Sequence, residues 1–157
     1  ILRQSVQQLA AKGGTADAGA GTPAGGAPPM TVSPQKLWDA AYSDFTAGQW
    51  DLAIAGFDMF IKSFPKSDLV DNAQVAIGNA YLQDGKHEKA VEAYDKAIRN
   101  YPSGDAVPEA YFKKGLALQN LRNVDGARQA WEFAVKNFPD SDGGRQAKLR
   151  LDQLKKP

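Results

Sequence analysis

IGNAYLQDGKHEKAVEAYDKAIRNYP, running from Ile77 to Pro102, is the stretch that decides the fold. It carries an early glycine (Gly78), a second at a break (Gly85), an Ala-x-x-x-aromatic run (Ala90 to Tyr94) and an aromatic-proline close (Tyr101-Pro102). The same sentence recurs 37 residues later as Gly115, Ala127 to Trp131 and Phe138-Pro139, and 37 residues earlier as Ala41, Ala53 to Phe57 and Phe64-Pro65. A fixed period of this size marks a solenoid, in which each helical hairpin buries its apolar face on the next. Such folds usually bind rather than catalyse.

Working outward, the punctuation predicts three hairpins: 34–47 with 50–64, 68–84 with 87–101, and 106–121 with 124–138. A last helix is expected over 142–155. Ser33 suits an N-cap, and Pro34 stands in the first helical slot, where a missing N–H costs nothing. Gly48 and Gly85 fall where a left-handed residue is wanted; the third hairpin has Arg122-Asn123 there, and Asn tolerates that conformation better than most. Ser67 or Asp68, Asp105, and Ser141 or Asp142 are expected N-caps. Pro108 would sit in a first turn.

Small residues share slots where paired helices cross: Ala41, Gly78 and Gly115, then Ala53, Ala90 and Ala127. Large ones stand beside them: Phe57, Tyr94 and Trp131, then Ile61, Ile98 and Val135. This alternation predicts close helix approach with the large side chains filling the remaining space. Ala147, Leu151 and Leu154 form an apolar stripe on the last helix, which is expected to cap the array.

Outside the repeats, residues 1–12 are helix formers with Leu2, Val6 and Leu9 on one seam, readable as a frayed tail or as the last turns of a coiled coil. Residues 13–33 hold six Gly, five Ala and three Pro, a composition that predicts a flexible tether. Residues 34–157 form the repeat domain. Because the chain opens on Ile1, it reads as a processed or truncated product. Net charge is +1, without the basic stripe that nucleic acid requires. No apolar stretch approaches the roughly 20 residues of a membrane span. With no cysteine, disulfides and thiolate metal sites are excluded.

The pattern resembles the tetratricopeptide repeat, most fully through Ile77-Gly78, Tyr81, Gly85, Ala90, Tyr94, Ala97 and Pro102. The motif spans about 34 residues; the extra residues lengthen the corner between repeats. The first repeat is looser, with Asp44 where the motif prefers an aromatic or apolar residue and Phe60 where it prefers a small one. The expected fold is therefore all-α, a tetratricopeptide repeat solenoid of three helical hairpins plus a C-terminal capping helix.

A narrower resemblance follows from Leu37-Trp38-Asp39-Ala40-Ala41-Tyr42-Ser43-Asp44-Phe45 and from Gly48-Gln49-Trp50-Asp51-Leu52-Ala53-Ile54. Phe64-Pro65-Lys66-Ser67, Asp71-Asn72-Ala73-Gln74 and the corner from Tyr101-Pro102 to Val107-Pro108 add to it. These runs resemble the C-terminal domain of the CpoB (YbgF) family, Tol-Pal-associated coordinators of cell division. The resemblance implies a periplasmic adaptor that forms a homotrimer through an N-terminal coiled coil. It also implies binding to TolA and a link to the septal peptidoglycan synthase machinery. Lys114 departs from the family, which tends to be apolar there, so packing at the third hairpin is in question. A rival reading is a structural subunit of an outer-membrane assembly complex, which would carry a lipidated cysteine near the start of its longer chain. A second rival is a regulator attached to a catalytic domain upstream of Ile1.

In tetratricopeptide arrays the first helix of each hairpin lines the binding face. The matching slots are Trp38, Tyr42 and Phe45; Val75, Asn79 and Leu82; and Phe112, Leu116 and Gln119. Aromatic anchors beside amides suit a helix or extended peptide laid in a groove. The plainer reading of Val75, Leu82 and Leu116 is core packing. The Lys/Asn clamp that grips a C-terminal carboxylate in chaperone-binding versions is missing, for Trp38 and Tyr42 occupy those slots and Glu109 stands where another Lys would go.

Catalytic and cofactor chemistry is not expected. His87 is the only histidine and has no partner in sequence. Asp140-Ser141-Asp142-Gly143 begins like a calcium loop, but Leu151 replaces its closing acid. The glycine-rich residues 13–26 lack the strand and Lys-Ser/Thr pair of a phosphate loop.

Overall fold

The computed structural model describes residues 32–155. The segments read as a coiled-coil end (1–12) and a tether (13–33) lie outside it, apart from Val32 and Ser33. Seven helices and no strands occur among the described residues: α1 (Pro34–Thr46), α2 (Trp50–Ser63), α3 (Val70–Gln83), α4 (His87–Asn100), α5 (Val107–Asn120), α6 (Val124–Asn137) and α7 (Asp142–Leu154). Pairs α1/α2, α3/α4 and α5/α6 are the three hairpins, each packed on the next, and α7 closes the array against both α5 and α6. This is the expected all-α solenoid.

Local chemistry explains most of the boundaries. The Ser33 hydroxyl accepts from Lys36 N at 3.2 Å and Ser141 from Gly144 N at 2.9 Å, each satisfying a donor that its helix leaves unpaired. Gly48 and Gly85 take φ of 72° and 74°. In the third hairpin Arg122 itself adopts φ 62°, and Asn123 caps α6 instead, accepting from Gly126 N at 2.9 Å. The expectation that Asn would take the left-handed place is thus corrected: its short amide is used one residue later, as a cap.

The N-caps expected for α3 and α5 are also corrected. α3 starts after Leu69, while the Ser67 hydroxyl bonds only the loop, accepting from Leu69 N at 3.3 Å. α5 starts after Ala106, and its cap comes from another repeat: Asp71 Oδ2, on α3, accepts from Ala106 N at 3.0 Å. Asp71 is only 5% exposed, so this bond gives a buried carboxylate the donor it needs while tying the second repeat to the third.

The expected packing alternation is present. Ala41, Ala53, Ala90 and Ala127 are wholly buried, as are Phe57, Tyr94 and Trp131. The Trp131 indole N–H donates to the Phe112 carbonyl at 2.9 Å, so its one polar atom is satisfied in the core. Phe60, the large residue in a slot that is alanine in later repeats (Ala97, Ala134), is wholly buried and meets Trp38 edge-on at 5.4 Å. Ala147 joins the core around Trp131, with Leu151 and Leu154 packed beside it.

Lys114 finds a partner rather than a gap. Its ammonium stands 2.6 Å from Asp95 of α4, both half-buried. The neighbouring rings of Tyr111 and Phe133 stack at 4.3 Å. Together they span the junction of α4, α5 and α6, and a pairing across repeats replaces the apolar contact that Ile77 makes one repeat earlier.

Candidate functional site

A depression of about 130 Å³ opens on the face formed by the first helices of the hairpins. Trp38, Tyr42 and Phe45 of α1 line it together with Val75 and Asn79 of α3. Five of the nine residues expected from sequence therefore meet in one place. Phe57, Asn72, Ala76 and Glu109 complete the lining.

Helical spacing aligns the aromatic wall. Trp38, Tyr42 and Phe45 stand four and three residues apart, which puts them on one face of α1. Their roles nevertheless differ. Trp38 is half-buried and packs edge-on against Phe57 at 5.3 Å, so its indole belongs to both core and pocket. Phe45 is half-buried and meets Trp50 edge-on at 5.3 Å. Tyr42 lies over Phe45 at 6.4 Å between centroids and is 54% exposed. It is the member of the wall with most surface to offer.

The floor is Val75, buried to 2% exposure. Beside it runs a polar chain that crosses three helices. The Tyr94 hydroxyl donates to Asn79 Oδ1 at 2.8 Å, and Asn79 Nδ2 donates to Glu109 Oε1 at 3.2 Å. The phenol donor fixes the orientation of the amide, oxygen toward Tyr94 and nitrogen toward Glu109. Burial, and then the nearby Glu109 charge, push the Tyr94 pKa well above the usual tyrosine range. The phenol therefore remains the donor in this chain. Lys113 Nζ, one turn along α5, also reaches Glu109 Oε1, at 3.0 Å.

The other four expected residues do not line this pocket. Leu82 is half-buried and packs on the core of the second hairpin, Leu116 on that of the third. Phe112 is a core residue at 5% exposure. Gln119 is half-buried on α5, farther along the same face. Asn72 was missed as a groove residue, and Glu109 was noted only as a departure from the carboxylate clamp, although the period held the signal: they share a slot three residues before Val75 and Phe112.

A second and larger depression, about 420 Å³, lies between α2 and α4 with α3 as its floor. Its rim mixes Asp51 and Asp58 with Lys89, Glu92 and Lys96 over a floor that includes Ile77 and Tyr81. Three of these five groups are engaged within the chain: Lys62 meets Asp58 at 2.5 Å, Lys86 meets Asp51 at 3.4 Å, and Lys89 stands 5.7 Å over the Tyr81 ring.

His87 opens α4, half-buried, with Nδ1 lacking a hydrogen-bond partner among the described residues. Among the described residues, no three His, Asp or Glu side chains are grouped to hold a metal. No described helix is long and apolar enough to cross a membrane.

Comparisons with known proteins agree on the fold. The tetratricopeptide domain of Arabidopsis OM64 superposes with a TM-score of 0.62 at 17% identity, over 77% of this chain and 95% of that one. PcrH, solved with the chaperone-binding region of PopB, gives 0.65 at 16% identity, over 81% and 98%. The second such domain of human RPAP3, solved with an HSP70 peptide, gives 0.61 at 22% identity, over 80% and 100%. No curated protein sequence matches the chain. The model of the YfiO family, described as outer membrane lipoprotein, matches residues 30–157, and the chain belongs to that family.

Proposed function

We propose that this chain is a non-enzymatic adaptor of the bacterial cell envelope, which holds a segment of a protein partner in the groove on its first-helix face. The partner proposed is TolA of the Tol-Pal system, in the periplasm, with a role in coordinating outer-membrane constriction and septal peptidoglycan synthesis during division. The N-terminal helix would join three copies, and the tether would let each groove reach its target. Clustering of three sites raises avidity where the partners are clustered too.

One observation carries this reading. The α1 residues that line the pocket, Trp38, Tyr42 and Phe45, lie within the run Leu37 to Phe45 on which the resemblance to the CpoB family rests. The solved relatives support the class of ligand, since PcrH and RPAP3 were each captured with a segment of another protein.

Titration with soluble TolA, followed by tryptophan fluorescence, tests the proposal. Trp131 is wholly buried, so Trp38 and Trp50 are the reporters near the groove; Trp38→Phe and Trp50→Phe identify the source. A saturable change lost in these variants supports both partner and site. Binding without any such change keeps TolA but moves the site to another face. Absence of binding by a folded chain removes the Tol-Pal reading.

The family match favours a second reading, a structural subunit of an outer-membrane assembly complex. Co-purification of the full-length protein with such a complex, and not with TolA, would select it.

A further inference from the structure

We infer that the pocket on the first-helix face takes a cationic side chain, a lysine or arginine of the bound segment, with Glu109 as its counter-ion and the rings of Tyr42, Phe45 and Trp38 as its wall. The inference rests on the groove reading above and names the chemistry that the groove selects.

Glu109 is the single ionised group among the residues lining the pocket. Its side chain is 45% exposed. Both of its protein donors, Asn79 Nδ2 and Lys113 Nζ, reach the same oxygen, Oε1. Among the described residues Oε2 receives no donor, although a carboxylate can accept about four hydrogen bonds. Asn79 cannot turn to supply one, because its oxygen is held by the Tyr94 phenol at 2.8 Å. The pocket therefore offers a segment one anionic acceptor and several aromatic faces.

Desolvation decides what can dock there. A segment lying across the pocket strips water from Glu109, and a carboxylate loses heavily on that transfer unless a donor replaces the water. Lysine or arginine supplies both donor and opposite charge, and its stem packs along the rings. The ring faces attract the same charge. An acidic residue meets like charge and no free fork of donors. This chain should thus prefer the opposite ligand class from RPAP3, whose bound HSP70 peptide, SGPTIEEVD, ends in acidic residues. The Lys113 pair, partly exposed on one face of α5, does not remove the effect, because it occupies one oxygen only.

Panning a random phage-displayed peptide library on the chain, with Tyr42→Ala as counter-target, tests the inference. Tyr42 is half exposed and its truncation leaves the core intact. The expected result is a set of Tyr42-dependent peptides that share a lysine or arginine. Their affinity should fall about 10-fold in Glu109→Gln, which keeps the acceptor for Asn79 but removes the charge; added salt should weaken binding to the parent chain more than binding to Glu109→Gln. Tyr42-dependent peptides without a cation, or unaffected by Glu109→Gln in a variant of unchanged circular dichroism, overturn the cation inference and leave the groove standing. Failure to recover any Tyr42-dependent peptide overturns both.

Discussion

Gly78 lies so close beneath the ring of Tyr94 that a Cβ at Gly78 would stand 2.5 Å from Cε1. The ring cannot retreat, because it is wholly buried and its hydroxyl is held by Asn79. Gly78→Ala should therefore destabilise the chain by about 1–3 kcal/mol, the usual cost of overpacking. Urea denaturation followed at 222 nm would measure it; an unchanged midpoint would show that the crossing has slack.

The first hairpin solves its crossing with the opposite arrangement. Slots 41, 78 and 115 hold Ala, Gly and Gly, while slots 56, 93 and 130 hold Gly, Ala and Ala. A Cβ at Gly56 would meet the Ala41 Cβ at 2.8 Å, so this crossing has room for one methyl group. Gly56→Ala should destabilise by about 1–3 kcal/mol, and Ala41→Gly in the same chain should recover part of the loss. A double-mutant cycle in urea would give the coupling; strictly additive effects would refute the shared-space explanation.

Asp44 occupies the slot filled by Tyr81 and Leu118, which pack on the cores of later repeats. Burial raises its pKa above the ordinary aspartate value. The folded state thus holds this proton more tightly than the unfolded state does. The resulting contribution to stability is complete below the unfolded pKa and is lost as pH rises through the raised folded pKa. Near neutrality Asp44 works against folding, so Asp44→Leu should raise the melting temperature there and reduce the gain otherwise seen on mild acidification. Thermal melts of both proteins across that acid range would check the sign.

Tyr94 provides the alkaline counterpart. Burial and the Glu109 charge raise its pKa, so its contribution persists below the unfolded value of about 10 and is lost at higher pH. Phenolate absorbance should show one tyrosine that stays protonated through the normal titration range and ionises only as the chain unfolds. Tyr94→Phe should remove that late phase. A single smooth titration in the parent would contradict the buried Asn79–Tyr94 bond.

The period alone determined the number of hairpins, their turns and the residues at each helix crossing. Those features are local: a left-handed glycine, a proline after an aromatic, or an alanine four residues from a ring acts within a turn or two of helix. Helix ends were legible where the cap is its own neighbour, as at Ser33 and Ser141. They were not legible at α5, whose cap, Asp71, stands 35 residues away. The tertiary structure alone decided which aromatic residues face the groove and which complete the core. Trp38 and Phe45 lean on Phe57 and Trp50, whereas Tyr42 on the same helix face remains 54% exposed. It alone brought Glu109 within 3.2 Å of Asn79, across 30 residues of chain. Helical periodicity states which face a residue occupies; how far the next hairpin covers that face, and which charge it delivers there, depends on side chains from other repeats meeting in three dimensions.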